Sequence, residues 1–411
     1  FLLGKFDPKH KMYMRVPRGF EKFYPDHVVL LLMKTLYGTR QAAMAFWKEL
    51  CKVFKLINIT RSRADPCLHY SWTVDGLMVW ITWVDDCIIA DPESQVRKSK
   101  EEMMKHMGCE EAGELHEYIG CKIEINKNES TLRITQPVLL QSFVDEFDLP
   151  ESNPVTPAAA GETLHADDEV ELLDVMGHSK YRSGVGKLLH LAKWSRVEML
   201  NRVRELSRFM SKPNVLHWKA MLRAMQYAVV TSNRGVLLRP NQKWDGKDKD
   251  FEFIVSGMAD ADYTANLETR RSVSGYSTFL EGSVITTKSK MQTCVTLSTT
   301  ESEFVSMTEC AQDMLFIMRV LQSLELKVKF PMVLQCDNKG ACDLANNWSA
   351  GGRTRHVATK IMFLRELKDE GLLAVEWVSN TEMISDLFTK NLGDKDFKKC
   401  AKAFVGLDEY D

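Results

Sequence analysis

The strongest structural signal in this chain is L-M-V-W-I-T-W-V-D-D-C-I-I-A-D, residues Leu77 to Asp91. Short runs rich in Val, Ile and Trp flank a pair of acids, which predicts two buried strands of a hairpin with Asp85 and Asp86 at its bend. Two adjacent buried carboxylates are costly unless a positive group neutralises them. A hard cation such as Mg²⁺ would do so. The segment is equally consistent with an ordinary Asp-Asp turn exposed to water.

The composition is that of a globular protein with material for two or three domains. The chain has 411 residues, of which 45% are hydrophobic and 27% charged. The net charge is only −2, so any nucleic-acid binding would depend on local patches. Ten cysteines without a C-x-x-C pair argue against a zinc site or disulfide framework and favour reduced intracellular thiols. No apolar run approaches the roughly 20 residues that span a bilayer. The start at Phe1 indicates a fragment of something longer.

A glycine precedes a helix-favouring run in L-Y-G-T-R-Q-A-A-M-A-F-W, Leu36 to Trp47. Gly38 allows close approach of the backbone to another molecule. Arg40 and Gln41 could therefore reach a phosphate or a base. The alternative is a capped helix on the protein surface.

The middle of the chain changes from strands to helices. Glu114 to Ile125 and Arg133 to Pro137 predict strands around a turn, and Val138 to Phe147 has helical spacing. Prolines after residue 149 mark a linker. Tyr181 to Leu238 is then mainly helical, and a charged, turn-rich boundary follows.

The last part of the chain places single acids at the ends of predicted elements. Asp260 follows a strand at Phe251 to Met258, Glu303 lies just inside a helix that Ser298 caps, and Asp337 follows a strand at Val333 to Cys336. Asp386 lies in a last helix that begins with the capping box S-N-T-E, residues 379–382. Further strands are predicted at 272–280, 284–287 and 294–297.

Four such acids are more consistent with a metal site than with four separate helix caps. A single carboxylate at an element end usually caps a helix or faces water. Two Mg²⁺ ions about 4 Å apart, bridged by carboxylates, are a known clamp for in-line displacement at a phosphodiester. The places of these acids at the ends of four elements are therefore interpreted as convergence on a metal site.

The motifs resemble the C-terminal part of the Pol polyprotein of copia-type LTR retrotransposons, in which reverse transcriptase is followed by ribonuclease H. Leu36 to Trp47 resembles the family's L-Y-G-L-K-Q-A-P-R-A-W-Y, and W-V-D-D at Trp83 to Asp86 resembles its Y-V-D-D. Further matches are D-A-D-Y-T-A-N-L-E-T-R-R-S-V-S-G-Y (260–276), L-S-T-T-E-S-E-F (297–304), C-D-N (336–338) and S-D-L-F-T-K (385–390).

The resemblance implies an α/β fold in three parts. These are an N-terminally truncated α+β palm and thumb of a reverse transcriptase at 1–150, a linker and helical connection at 151–245, and a mixed-sheet ribonuclease H-like domain at 246–411. The family also has a third polymerase acid, which would lie just upstream of Phe1. Trp83 replaces the family's Tyr, Ala43 replaces its Pro, and Arg196 to Met199 departs from its T-R-P-D.

The resemblance also implies the site residues and the metal. The polymerase pair is Asp85 and Asp86, and the nuclease set is Asp260, Glu303, Asp337 and Asp386, each site holding two Mg²⁺ or Mn²⁺ ions. Implied substrate contacts are Trp83, Gly38, Arg40, Gln41, Arg353 and His356. His356 is equally consistent with a helix start without a further role.

The implied function is the copying of element RNA into DNA and the degradation of the RNA strand of the hybrid. The implied partners are an RNA template, a DNA primer, dNTPs, the RNA–DNA hybrid, and an upstream protease and integrase, with no membrane. The implied location is intracellular, in a cytoplasmic virus-like particle and in the nucleus. Two alternatives stay open: a catalytically inert nucleic-acid-binding remnant, and a hybrid nuclease alone.

Overall fold

The computed structural model describes residues 11–36, 38–39, 41–90, 93–167, 169–266, 268–346 and 358–406. The chain divides into two compact units. The first comprises residues up to Glu114 together with Trp244–Lys249 and Ser323–Glu325, and the second comprises the rest. The division into functional domains at residues 150 and 245 stays a prediction. Among the helices of the described residues, none is long and apolar enough to cross a membrane.

The first unit contains a four-stranded antiparallel sheet in the order β3-β4-β5-β6 and a separate strand pair, β1 with β2. Its elements are β1 (Tyr13–Arg15), β2 (Val29–Leu31), α1 (Ala42–Leu56), β3 (Thr60–Arg61), β4 (Leu68–Thr73), β5 (Gly76–Trp83), β6 (Asp86–Ala90) and α2 (Glu93–His106). A short 3-10 helix spans Glu21–Phe23.

The core of the first unit lies between α1, α2 and one face of the sheet. Phe46, Leu50 and Phe54 recur at helical spacing on α1 and are all buried. The ring of Phe54 meets Trp80 of β5 edge-on at 5.3 Å between centroids. Met103 of α2 and Met107, which directly follows α2, complete this core.

The predicted hairpin is present, but only its first strand is largely buried. β5 and β6 pair antiparallel from Val79↔Ala90 to Trp83↔Asp86. Side chains of β5 alternate between buried and exposed toward its end, whereas those of β6 are half-buried or exposed. The prediction of two buried strands was therefore wrong for β6, because in the described sheet it is an edge strand with a neighbour on one side only.

The second unit begins with a small sheet covered by helices. The sheet has the order β10-β9-β8-β7. The elements are β7 (Glu117–Tyr118), β8 (Cys121–Asn126), β9 (Thr131–Thr135), α3 (Pro137–Glu146), α4 (Val175–Trp194), α5 (Leu200–Ser207), α6 (Val215–Val230) and β10 (Val236–Leu238), with a 3-10 helix at Val197–Met199. The helical interpretation of Tyr181 to Leu238 is confirmed up to Val230, after which the chain forms β10.

The other sheet of the second unit is five-stranded and mixed, in the order β14-β13-β12-β16-β17. Its elements and neighbours are β11 (Glu252–Phe253), β12 (Val255–Asp262), β13 (Val273–Leu280), β14 (Ser283–Met291), α7 (Thr299–Ser323), β15 (Lys327–Val328), β16 (Met332–Cys336), α8 (Lys339–Asn346), α9 (Ala358–Asp369), β17 (Leu373–Trp377), a 3-10 helix (Ile384–Phe388) and α10 (Asp394–Val405). β12, β13 and β14 are antiparallel, while β16 runs parallel to both β12 and β17. The expected mixed α/β fold is confirmed.

The capping residues explain where α7 begins. The hydroxyl of Ser298 accepts a hydrogen bond from the Glu301 backbone N–H at 3.2 Å. The Glu301 carboxylate accepts one from the Leu297 N–H at 2.6 Å, one residue before the position that a capping box predicts. Two backbone N–H groups at this terminus are thereby satisfied, which fixes the start of α7 at Thr299.

Three predicted element boundaries differ from the structure. Asp260 lies inside β12 rather than after it, because the strand stays paired with β13 as far as Asp262. Residues 294–297 form no strand. The first residue of β13, Val273, already pairs with Met291, so β13 has no residue left with which 294–297 could pair. The second capping motif forms a hydrogen-bonded turn, with Glu382 N–H donating to Ser379 at 2.8 Å, so Asp386 lies in the 3-10 helix instead of an α-helix.

Candidate functional site

Four elements of the second unit bring the predicted nuclease acids together. Asp260 lies on β12, Glu303 in the second turn of α7, Asp337 directly after β16, and Asp386 in the 3-10 helix. One carboxylate oxygen from each of the three aspartates lies within 4.8 Å of the others. Glu303 lies within the same distance of Asp337 and of the Cys336 thiol. The geometry is therefore that of one acidic cluster, while the catalytic role of its members stays a prediction.

Burial and mutual repulsion raise the pKa of every carboxyl group in this cluster. Burial, followed by repulsion from Asp260 and Asp337, raises the pKa of Glu303 to about 10. Burial and the neighbouring Asp260 raise the pKa of Asp386 to about 6. Burial is also the main cause of the raised pKa of Asp260 and of Asp337. Since like charges at this separation disfavour joint ionisation, the cluster favours binding of a cation.

Two residues that sequence reasoning missed contact the acids directly. The Lys390 ammonium donates to Asp386 Oδ1 at 2.6 Å and lies 3.6 Å from Asp260 Oδ2. Burial opposes the charge of Lys390, but the carboxylates of Asp260 and Asp386 outweigh it and raise its pKa. The Thr389 hydroxyl donates a short hydrogen bond to Asp260 Oδ2. Lys390 follows Asp386 by four residues within the S-D-L-F-T-K motif. This spacing was the signal in the sequence that could have identified Lys390 as a neighbour of the acid.

The thiol of Cys336 borders the cluster on the side of Glu303. Its Sγ lies 3.7 Å from Glu303 Oε2 and accepts a hydrogen bond from the Asn338 N–H at 3.4 Å. Asn338 in turn caps α8, because its side chain accepts from the Ala341 N–H at 2.9 Å. The C-D-N motif therefore orients Asp337 between the end of β16 and the start of α8.

The predicted polymerase acids occupy the turn of the β5–β6 hairpin and are exposed. Val84 has a φ of 57° in the left-handed region, so the turn is a tight one, with Asp85 in it and Asp86 paired opposite Trp83. The side chain of Trp83 is 52% exposed. In the described part of the first unit, no group of three acidic, His or Cys side chains lies close enough together at this pair to hold a metal ion. Such a group does occur at Asp260 in the second unit. The open alternative of a water-exposed Asp-Asp turn is the observed state.

The other predicted substrate contacts are only partly described. Gly38 has a φ of 82°, a conformation that favours glycine. Gln41 is the N-cap of α1 without a side-chain capping bond, so the helix begins without the expected side-chain cap. Arg40, Arg353 and His356 lie outside the described residues. Their substrate contacts stay predictions.

Comparisons with known proteins show that this chain is similar to parts of retroelement polyproteins. A family model described as reverse transcriptase (RNA-dependent DNA polymerase) matches residues 1–160. The chain is 29% identical over 99% of its length to a retrovirus-related Pol polyprotein from transposon TNT 1-94 of Nicotiana tabacum. It is 29% identical over 95% of its length to the corresponding polyprotein from transposon RE1 of Arabidopsis thaliana. The chain spans 30% and 26% of the lengths of these two relatives.

A solved structure shows a more distant likeness. A foamy viral protease-reverse transcriptase in complex with double-stranded DNA has a TM-score of 0.46 and 11% sequence identity. The likeness covers 92% of this chain and 58% of that chain.

Proposed function

Since this chain is a relative, over nearly its full length, of the Pol polyproteins of copia-type LTR retrotransposons, we propose that residues 246–411 hydrolyse the RNA strand of an RNA–DNA hybrid with divalent metal. The observation that carries the proposal is the convergence of Asp260, Glu303, Asp337 and Asp386. These acids come from four separate elements, and local structure alone would not bring them together.

The donor atoms of the cluster fit Mg²⁺ or Mn²⁺. All four acids offer carboxylate oxygens, the ligand type that hard divalent cations prefer. Burial, followed by repulsion among the carboxylates, raises their pKa values even with Lys390 beside them, so a bound cation would stabilise their ionised forms. Asp260, Glu303, Asp337 and Asp386 would hold two ions, which when bound supply an activated water and stabilise the leaving 3′-oxygen.

The surrounding side chains hold the acids in position for that chemistry. The Thr389 hydroxyl restrains Asp260, and the Lys390 ammonium restrains Asp386. Glu303 is fixed by its place on α7, the longest described helix, which contacts the sheet where the Ser306 hydroxyl donates to the Gly275 carbonyl at 3.2 Å. The acids are therefore held on rigid elements, which catalytic positioning requires.

The test of this proposal is metal-dependent cleavage. We expect the chain to cut the RNA of a hybrid labelled at the RNA 5′ end in Mg²⁺ or Mn²⁺, and excess EDTA to abolish cutting, because the carboxylates alone repel a phosphodiester. Gel analysis against single-stranded RNA and duplex DNA of the same sequence measures the specificity. Absence of cleavage under every metal condition would favour the inert nucleic-acid-binding remnant instead.

A second candidate function is RNA-directed DNA synthesis by the first unit. It is favoured by the family model at residues 1–160 and by the exposed acids Asp85 and Asp86 at a hairpin turn. Both acids could hold one ion beside a primer, with the exposed ring of Trp83 near a primer sugar. An RNA template, a DNA primer and dNTPs would be the substrates, and hybrid cleavage without synthesis would indicate the nuclease-only alternative.

We expect primer extension by this 411-residue chain to be at background level. A two-ion site needs acids from separate segments. The described residues place no third carboxylate with Asp85 and Asp86. A misplacement of about 1 Å can already cost about a hundredfold in rate. Extension of a labelled DNA primer on an RNA template measures this, and robust extension that Asp86→Asn abolishes would show that another carboxylate completes the site.

The wider setting follows from the same relationship and is part of the proposal. The relatives are Pol polyproteins of which this chain matches a part. We infer that a protease and an integrase accompany it in the polyprotein. Its place of action would be a cytoplasmic virus-like particle and then the nucleus.

A further inference from the structure

A cleft of about 370 Å³ lies beside the acidic cluster in the second unit. It is lined by α5, by residues following β12, and by the segment Thr389 to Gly393. Thr389 and Lys390 line this cleft and also contact Asp260 and Asp386. A molecule in the cleft would therefore be continuous with one at the four acids. The volume is within the range of ligand sites in proteins, which is roughly 300–1,000 Å³.

Arg204 is the cation of this cleft whose charge is not balanced by an ion pair. Its Nε donates to Ser289 Oγ at 3.1 Å and its Nη2 donates to Asn201 Oδ1 at 2.7 Å, so both partners are neutral. Among the described residues, no carboxylate lies within ion-pair distance of it. Burial lowers the pKa of Arg204 to about 10. A half-buried guanidinium without an ion pair is costly; the carboxylates of Glu205 and Asp262 offset part of that cost from a distance, and an anion bound directly to it would offset more.

The neighbouring arginines are balanced, which distinguishes them from Arg204. Arg202 is fully buried and pairs with both Glu162, at 3.1 Å, and Glu205, at 3.4 Å. Arg208, one turn after Arg204, lies 3.5 Å from Glu268. Arg202 is therefore shared between the two glutamates that line the cleft, and the charge of Glu205 also acts on Arg204 from beyond ion-pair distance.

Asp262 is the remaining acid of the lining. Burial raises the pKa of Asp262, and the positive charges of Lys390 and Arg204 oppose that rise. The Lys390 ammonium already donates a hydrogen bond to the Asp386 carboxylate. The site available to an anion is accordingly on the α5 side of the cleft, at Arg204, with Arg208 and Asn201 beside it.

We propose that this cleft binds a phosphodiester group of the nucleic-acid backbone, with Arg204 as its principal contact. The inference rests on the proposed nuclease function and deepens it. A guanidinium presents several donors in a planar fork that suits phosphate oxygens. Binding at Arg204 would hold the strand across the acidic cluster without reading its sequence. Arg204 is thus a positioning residue.

The test is the affinity for a short labelled RNA–DNA hybrid, measured by fluorescence anisotropy in EDTA at several salt concentrations. Arg204→Gln removes the charge while retaining an amide donor for Ser289 or Asn201. We expect Kd to rise about tenfold, and the slope of log K against log salt to fall by about one, because one phosphate contact is lost. Arg204→Lys should restore the slope. Arg208→Gln should give a smaller loss in the same direction.

Arg182→Gln is the matched control, because Arg182 is exposed on α4 in the same unit and does not line the cleft. It should change neither affinity nor slope. Unchanged affinity and slope in Arg204→Gln, with an unaltered unfolding temperature, would overturn the inference. Binding in EDTA does not depend on cleavage, so the two proposals fail in different ways. If the inference about Arg204 is wrong, Arg204→Gln binds the hybrid normally and the unmodified chain still cuts it with metal. If the nuclease assignment is wrong, the unmodified chain does not cut the hybrid.

Discussion

Asp337→Asn is expected to lower the rate of RNA cleavage in a hybrid by at least about a hundredfold, because a displaced metal ligand misplaces the reacting groups. The amide has the shape of the carboxylate but lacks its charge and one strong oxygen ligand. Asp337 has an oxygen within 4.8 Å of Asp260 and Asp386, and also within that distance of Glu303. It is therefore the one acid common to both groups of potential ligands. Single-turnover cleavage of a labelled hybrid in Mg²⁺ measures the change.

The same substitution should leave the free energy of unfolding unchanged or raise it. Burial and repulsion from Asp386 raise the pKa of Asp337, so removal of this charge relieves repulsion among the four acids. Asp343→Asn, on the exposed side of α8, is the matched control and should cleave at the normal rate. Equal activity of Asp337→Asn and the unmodified chain would remove Asp337 from the metal site.

Arg196→Met is expected to lower the free energy of unfolding by about 3–5 kcal/mol, the usual result of breaking a buried ion pair from one side. Arg196 Nε lies 2.6 Å from Glu198 Oε1, and both side chains are almost completely buried. The Arg196 Nη1 also donates to the carbonyls of Ala228 at 3.0 Å and Thr231 at 3.2 Å. The substitution leaves a buried carboxylate and two carbonyl groups without these donors.

Urea denaturation followed by circular dichroism measures this loss. The double variant Arg196→Met/Glu198→Leu should be more stable than the single one, since it leaves no uncompensated buried charge. Arg182→Met, on the exposed surface of α4, should change the free energy of unfolding by less than about 0.5 kcal/mol. A single variant as stable as the unmodified chain would show that solvent reaches Glu198 once the arginine is gone.

Local pattern was sufficient for most elements of the second unit. The strand predicted at Val333 to Cys336 is β16, which begins one residue earlier, at Met332. The caps of Ser298 and Glu301 likewise placed the start of α7. Asp386 lies in a helix as predicted, but this is a 3-10 helix that follows a hydrogen-bonded turn formed by S-N-T-E.

In the first unit, local pattern was less informative about burial. The alternation and the acid pair predicted the hairpin correctly. Apolar residues in β6 also predicted a covered strand, although the described sheet ends there. A run such as C-I-I-A has the same composition in a central strand and in an edge strand, and only its neighbours distinguish the two.

The sequence by itself determined the family resemblance, the order of strands and helices, and the four acids worth testing, because each depends on residues close together in the chain. Only the tertiary structure decided which side chains meet. Pairing of β12 with β16 sets Asp260 near Asp337, and Thr389 reaches Asp260 across 129 residues of sequence. The exposure of Asp85 and Asp86, and the hydrogen bonds of Arg204 to the neutral side chains of Ser289 and Asn201, were decided there as well. These depend on contacts between distant segments, and spacing along the chain carries no information about such contacts until the sheets have formed.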